Sequence, residues 1–291
     1  MAAKLAGFDA ISLYPEQFLN ARHREKLSDA DMQEILKIHA IRVATIDPLL
    51  DWFGPSESAA EKLMYEVADV VQAPRINLAP AFAPNIGLSE ISDAFARVCE
   101  RAAQRGLEVD LEVLPWSVIP DYPKLFDIVL GSGQDNAFVT LDCLHFYRSG
   151  GVPRDLEILG REKLQRISNL QLCDIRPGPL SLNWRQKLSA GKTMLASGWD
   201  GARTMGLKSM IDVSSKSHNT REDASVLMRE AMCSRLLPGR GSIPLTEILQ
   251  TLDRLSCHPV IGLEISSLAM NKLAPDVAAK QAMSAYRVLT E

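Results

Sequence analysis

Four residues spread along the chain have the types and settings to act together: Glu112 in "LEVLPW", Asp142 in "LDCLH", Gln171 in "LQLCD" and Glu264 in "GLEIS". Each sits at or near the end of a short apolar run, the pattern of a buried strand bounded by turn signals. Brought to one cavity, three carboxylates and an amide oxygen repel one another and raise one another's pKa values unless a cation lies among them. An all-oxygen set suits a hard or intermediate divalent ion, with Mn, Mg or Co first and Zn or Fe as further possibilities. A lone strand-end glutamate is more often a solvated rim residue. The set, at successive strand ends, carries the inference. The stretch "LDCLHFYRSGG" (141–151) adds His145 and Arg148 beside Asp142, just after the apolar "NAFVTL" and the turn-forming "GSGQDN". An aspartate, a histidine, an arginine and two glycines at the end of such a run read as a site rather than as core.

The elements that must position these residues alternate strand and helix. Strands are expected at 9–14, 42–47, 75–80, 107–115, 138–146, 169–175 and 260–266, and helices at 28–40, 58–71, 91–106, 121–133, 161–168, 245–256 and 275–289. Repeated strand–helix units imply parallel strands joined by right-handed crossovers. Seven strands at this spacing, with no GxGxxG or Walker segment to mark a nucleotide switch point, predict a (β/α)8-type TIM barrel rather than an open sheet. The barrel puts Glu112, Asp142, Gln171 and Glu264 at its C-terminal mouth. "MAAKLAG" reads as a first helix running straight into what would be the second strand, so the first strand is expected to be missing. A loop or a partner subunit would then close the gap, which predicts a homo-oligomer. Residues 1–291 are read as one domain. The stretch 179–220 is too long for a tight connector and is read as an insertion or lid over the mouth.

Composition narrows the rest. With 46% hydrophobic and 23% charged residues the chain is globular. A net charge of −4 gives no reason to expect nucleic acid or an anionic membrane. No apolar run reaches the roughly 18 residues needed to cross a bilayer. The first residues lack a secretory pattern. Five scattered cysteines without a CxxC pair read as core residues in a reducing compartment, so a cytoplasmic location is expected.

The ordered segments "LEVLPWSVIPD", "LDCLHFYRSGG", "LQLCDIRPGP", "RLLPGRGSIPL" and "VIGLEIS" resemble the sugar phosphate isomerase/epimerase family, which has the xylose isomerase-like TIM barrel. The resemblance covers most of the chain from about residue 7 onward, apart from 179–220. It implies that one divalent metal ion is held by Glu112, Asp142, Gln171 and Glu264. It also implies that His145 and Arg235 contact substrate oxygens, with Arg148 in the "RSGG" element. Many members carry histidine where this chain has Gln171; glutamine there resembles the hydroxypyruvate isomerase and 3-dehydroshikimate dehydratase branches. Arg240 in "PGRG" replaces a residue that is often acidic in relatives. With Arg148, Arg235 and Arg176 it favours an anionic small-molecule substrate.

The chemistry that follows is an enediolate route. A divalent ion binds adjacent oxygens of a hydroxy-carbonyl compound and acidifies the neighbouring C–H. Glu112 or Glu264 takes the proton, and His145 donates to or orients the substrate. Return of the proton gives an epimer or an aldose–ketose isomer, while loss of a β-hydroxyl makes the enzyme a dehydratase. Isomerase or epimerase is the first expectation, a dehydroshikimate dehydratase-like lyase the second, and a non-catalytic barrel subunit the third. An endonuclease of the same superfamily would need several histidines around zinc, and only His145 lies near the site. Trp116 is expected to pack at the rim, Cys143 and Cys173 to be core, and Asp174 to be structural.

Overall fold

The computed structural model describes residues 1–81, 86–178 and 221–291. The stretch 179–220, read from the sequence as an insertion, lies outside the described residues. The first half runs α1 (Ala2–Ala6), β1 (Ala10–Leu13), α2 (Pro15–His23), α3 (Asp29–Ile38), β2 (Arg42–Leu49), α4 (Ala59–Val71), β3 (Arg75–Leu78), α5 (Leu88–Ala103) and β4 (Glu108–Glu112). It continues α6 (Tyr122–Gly131), β5 (Ala137–Asp142), α7 (Cys143–Arg148), α8 (Pro153–Glu157), α9 (Gly160–Arg166) and β6 (Ile167–Leu172). Last come α10 (Arg221–Cys233), α11 (Leu245–Arg254), β7 (Val260–Leu263) and α12 (Pro275–Thr290).

Among the described residues the strands form one seven-stranded sheet in the order β1 to β7, every neighbouring pair parallel. This is the barrel that the sequence predicts, with its first strand missing: β1 and β7 end the sheet, and no hydrogen bond joins them among the described residues. Helix α1 packs against α12 beside the gap. No helix among the described residues is long and apolar enough to cross a membrane.

Local chemistry sets the helix starts. Ser28, Ser58 and Asp121 each accept from the backbone N–H three residues on, at 3.1, 3.1 and 2.9 Å, and so satisfy an orphan donor of α3, α4 and α6. The inner helix faces then repeat at three- and four-residue spacing, as in Ile91, Ala94, Phe95, Val98, Cys99 and Ala102 of α5. Cys143 and Cys173 are fully buried, as core residues should be. Glu61 of α4 is also buried, held by Arg101 of α5 at 2.6 and 2.8 Å and by the Tyr65 hydroxyl at 2.7 Å. One difference from the sequence reading bears on the site. The strand expected over 138–146 stops at Asp142, and residues 143–148 form α7. Asp142 causes the switch: its carboxylate accepts from the His145 N–H at 3.0 Å, capping a helix at the point where the strand ends.

Candidate active site

The predicted set converges. Glu112 is the last residue of β4, Asp142 the last of β5, Gln171 lies one residue before the end of β6, and Glu264 follows β7 directly. In register, Asp142 lies beside Gln171, Glu112 beside Thr140 two residues before Asp142, and Glu264 two residues beyond the Gly262 partner of Gln171, so all four stand at or next to the C-terminal ends of their strands. Asp142 is fully buried, and Glu112 and Gln171 are nearly so. The Glu264 side chain is a quarter exposed, but its Oε2 is buried.

Charge compensation in the cluster is partial. Arg235, buried between α10 and the mouth, donates to Asp142 Oδ2 at 2.6 Å and to the Ala231 carbonyl at 2.7 Å, and lies 3.3 Å from Glu264 Oε1. Burial pushes Asp142 up, yet Arg235 and His145 outweigh it and hold the carboxyl at about 2. The other two carboxyls are compensated less: Glu264 shares Arg235 at the longer distance, and the shift of Glu112 is dominated by burial and like charges. Burial, with repulsion from Glu264, Asp47 and Asp142, drives Glu112 well above the ordinary range. Burial, opposed by Arg235 but reinforced by Asp142 and Asp47, pushes Glu264 up to about 8. His145 is lowered to about 4 by burial, so its imidazole is neutral at neutral pH.

The donor atoms fit a cation. Gln171 Oε1 and Glu264 Oε2 are buried acceptors without a hydrogen-bond partner, an arrangement that costs free energy unless something electropositive lies against them. His145 Nε2 lies 3.5 Å from Glu112 Oε1 and 3.9 Å from Asp142 Oδ2, and the three residues can present ligand atoms within 4.8 Å of one another. His145 therefore joins the ligand candidates, which the sequence reading had treated as all-oxygen. A mixed nitrogen–oxygen set widens the range of suitable ions toward zinc.

Two further residues were missed. Asn77 of β3 points its amide nitrogen at both Asp47 Oδ1 and Glu112 Oε2, each at 2.8 Å, and its oxygen accepts from the Thr140 hydroxyl at 3.1 Å. This ladder fixes one oxygen of Glu112 and leaves the other facing His145. Asp47, at the end of "RVATID", is buried, and burial pushes it up to about 6. A polar residue inside an otherwise apolar strand was the signal available at both positions; neither stands among the segments that carry the family resemblance. Because such outer partners orient ligands, Asn77→Ala should weaken divalent-ion binding roughly tenfold with the fold retained, as read by titration calorimetry with Mn2+.

The arginines do not all reach the cluster. Arg148 forms two bonds of 2.6 Å to Glu230 and one of 3.2 Å to the Gly178 carbonyl, tying α7 to α10. Arg176 and Arg240 are exposed. Of the four arginines taken to favour an anionic substrate, only Arg235 lies among the carboxylates, where Asp142 and Glu264 already engage it. The indole of Trp116 packs edge-on against His145, with centroids 5.3 Å apart. Asp174 is structural: its carboxylate accepts from the N–H groups of Ile175, Gly241 and Ile243 at 2.9, 2.7 and 3.0 Å, folding "PGRG" back on the mouth. A Cβ on Gly241 would fall 2.0 Å from the Ile175 carbonyl, so only glycine admits this approach. Asp174→Ala should lower stability by about 2–3 kcal/mol, seen as a lower urea midpoint, since it strands buried donors.

A profile of the family described as xylose isomerase-like TIM barrel matches residues 1–288. No curated protein is a match. Solved structures share the fold at low identity. The IolI protein with a binding zinc atom superposes with a TM-score of 0.71 at 17% identity, covering 99% of this chain and 90% of that one. The probable 3-DHS dehydratase AsbF from Bacillus anthracis gives 0.62 at 16% identity, covering 100% and 91%. The D-psicose 3-epimerase from Clostridium cellulolyticum H10, with D-tagatose, gives 0.61 at 13% identity, covering 99% and 90%.

Proposed function

Because the chain belongs to the xylose isomerase-like TIM barrel family, we propose that it is a divalent-metal-dependent isomerase or epimerase of a small hydroxy-carbonyl compound. The observation that carries the reading is the convergence of Glu112, Asp142, Gln171 and Glu264 at one barrel mouth, with two buried oxygens left without partners. Kinship of fold with a zinc-holding protein and with an epimerase supports it. Residues 1–291 act as a single domain in this reading.

Glu112, Asp142, Gln171 and Glu264 would hold the ion, and His145, which can present a ligand atom within 4.8 Å of those of Glu112 and Asp142, would be an adjacent nitrogen donor. When bound, a divalent ion supplies Lewis-acid polarisation of the substrate carbonyl. Glu112 or Glu264 takes the proton from the adjoining carbon and returns it. Asn77 keeps Glu112 in its working orientation, at 2.8 Å from Oε2. Arg235 bridges Asp142 and Glu264, at 2.6 and 3.3 Å, and presents its charge to substrate oxygens. The neutral imidazole of His145 donates one N–H to a substrate oxygen, and Trp116 covers its side and keeps water away.

The test is deuterium wash-in. Mn2+-loaded protein is incubated in D2O with a panel of ketoses, ketose phosphates and hydroxy-keto acids, and carbon-bound deuterium is read by NMR. Exchange with an unchanged carbon skeleton, lowered at least about a hundredfold in Glu112→Gln, supports the reading. A conjugated, ultraviolet-absorbing product from a dehydroshikimate-like ring would instead make the chain a lyase. Neither exchange nor elimination across the panel, in protein that also retains no divalent ion, leaves the non-catalytic barrel.

A further inference from the structure

The barrel mouth holds a fourth carboxylate that the ligand set does not use. Asp47 stands near the end of β2 and is only 8% exposed. Its Oδ1 accepts from the Asn77 amide at 2.8 Å. Its Oδ2 accepts no hydrogen bond among the described residues, and the side chain shares a cavity wall with Tyr14, Gln171 and Glu264. Arg235 favours the ionised form of Asp47 without pairing with it. A buried carboxylate with one oxygen unengaged costs free energy unless a donor reaches it. The Asn77 nitrogen also lies 2.8 Å from Glu112 Oε2, so the two carboxylate oxygens it joins are no more than twice that distance apart. A compound held at Glu112 therefore brings its neighbouring carbons within reach of Asp47.

We propose that Asp47 is a substrate-binding, specificity-determining residue: its free oxygen accepts from a hydroxyl or ammonium group of the bound compound, and the mouth it completes selects against anionic compounds. The proposal deepens the proposed function and rests on it for the reacting centre. Charge carries the second half. When ionised, Asp47, Glu112, Asp142 and Glu264 are opposed within the cluster by Arg235 among the described residues, which leaves three negative charges; a divalent ion would still leave one. The other cations that line the same cavity do not change this. Arg42 opens β2, five positions before Asp47 and so about 16 Å away along the strand. Arg75 is engaged by Glu108 and Asp110, and Arg287 lies against Gly7 on the outer helices. A phosphate or carboxylate beside Asp47 would meet like charge at short range, whereas a donor would satisfy Oδ2. This reverses the anionic substrate that the arginines suggest in sequence.

Three probes that differ only at C1 test it: 1-amino-1-deoxy-D-fructose, D-fructose and D-fructose 1-phosphate. Each keeps the carbonyl and the C3 hydroxyl for the ion. They are titrated at pH 7 into Mn2+-loaded full-length protein by calorimetry. The amine should bind at least about tenfold more tightly than the phosphate, with fructose between them. Asp47→Asn removes the charge but keeps an oxygen for the Asn77 amide. It should narrow the amine-to-phosphate ratio to about threefold or less; a role confined to orienting Asn77 would leave that ratio alone. A phosphate that binds the parent protein as tightly as the amine, no measurable binding of the amine, or a ratio unaltered in Asp47→Asn overturns the proposal. Titration with Mn2+ alone keeps the two readings apart. If Mn2+ does not bind but the amine still leads and loses its lead in Asp47→Asn, Asp47 stands and the metal site fails. Mn2+ binding with the phosphate preferred has the opposite meaning.

Discussion

Asp142→Asn is expected to abolish divalent-ion binding and to destabilise the ion-free protein at the same time. In the parent chain, Mn2+ at a hundred times its Kd should add about 2.7 kcal/mol of stability, which raises Tm by about 4 °C in a protein of this size. Asp142 has its strong tie in Arg235, at 2.6 Å, and both are buried. Removing the charge of one partner of a buried pair costs about 3–5 kcal/mol. The lower end applies here, because Glu264 remains 3.3 Å from the same guanidinium. Helix α7 should survive, since an asparagine oxygen still caps the His145 N–H. Scanning calorimetry with and without Mn2+ reads both effects. A variant that keeps the full Mn2+-induced rise would remove Asp142 from the ligand set.

The second large effect is on pH. Glu264 is pushed up to about 8 and Asp47 to about 6, each above the ordinary carboxyl range of about 4. Between those limits the folded, ion-free chain binds more protons than the unfolded one. Its stability therefore falls as pH rises from about 4 toward 8. A divalent ion reverses this preference, because it must displace the proton from Glu264 and from Glu112, which burial and the neighbouring carboxylates also raise well above the ordinary range. Affinity for Mn2+ should then rise about tenfold per pH unit for each proton released, or at least about a hundredfold from pH 6 to pH 8. Calorimetry in buffers of different ionisation enthalpy counts the protons directly. A Kd independent of pH over this range would mean that neither glutamate is a ligand.

What could be read from the sequence follows from locality. The strand–helix alternation, the capping serines and the polar residues closing apolar runs all depend on neighbours within a few positions, so the barrel, its missing first strand and the rise of Glu112, Asp142, Gln171 and Glu264 to one mouth were legible. The turn of the chain at Asp142 was not, because a side chain that ends a strand and caps a helix looks the same in either role until the His145 N–H is placed. The allocation of charge was beyond reach for a similar reason. Arg148 and Arg235 both look like anion binders in sequence, but Arg148 lies against Glu230, 82 residues away, and Arg235 against Asp142, 93 residues away. The same holds for Asn77, which reaches Glu112 across 35 residues. Residue type and spacing determined which groups stand at the barrel mouth. Only tertiary packing decided which of them are already neutralised and which are left for a ligand, because that depends on distances between segments that meet only when the sheet curls round.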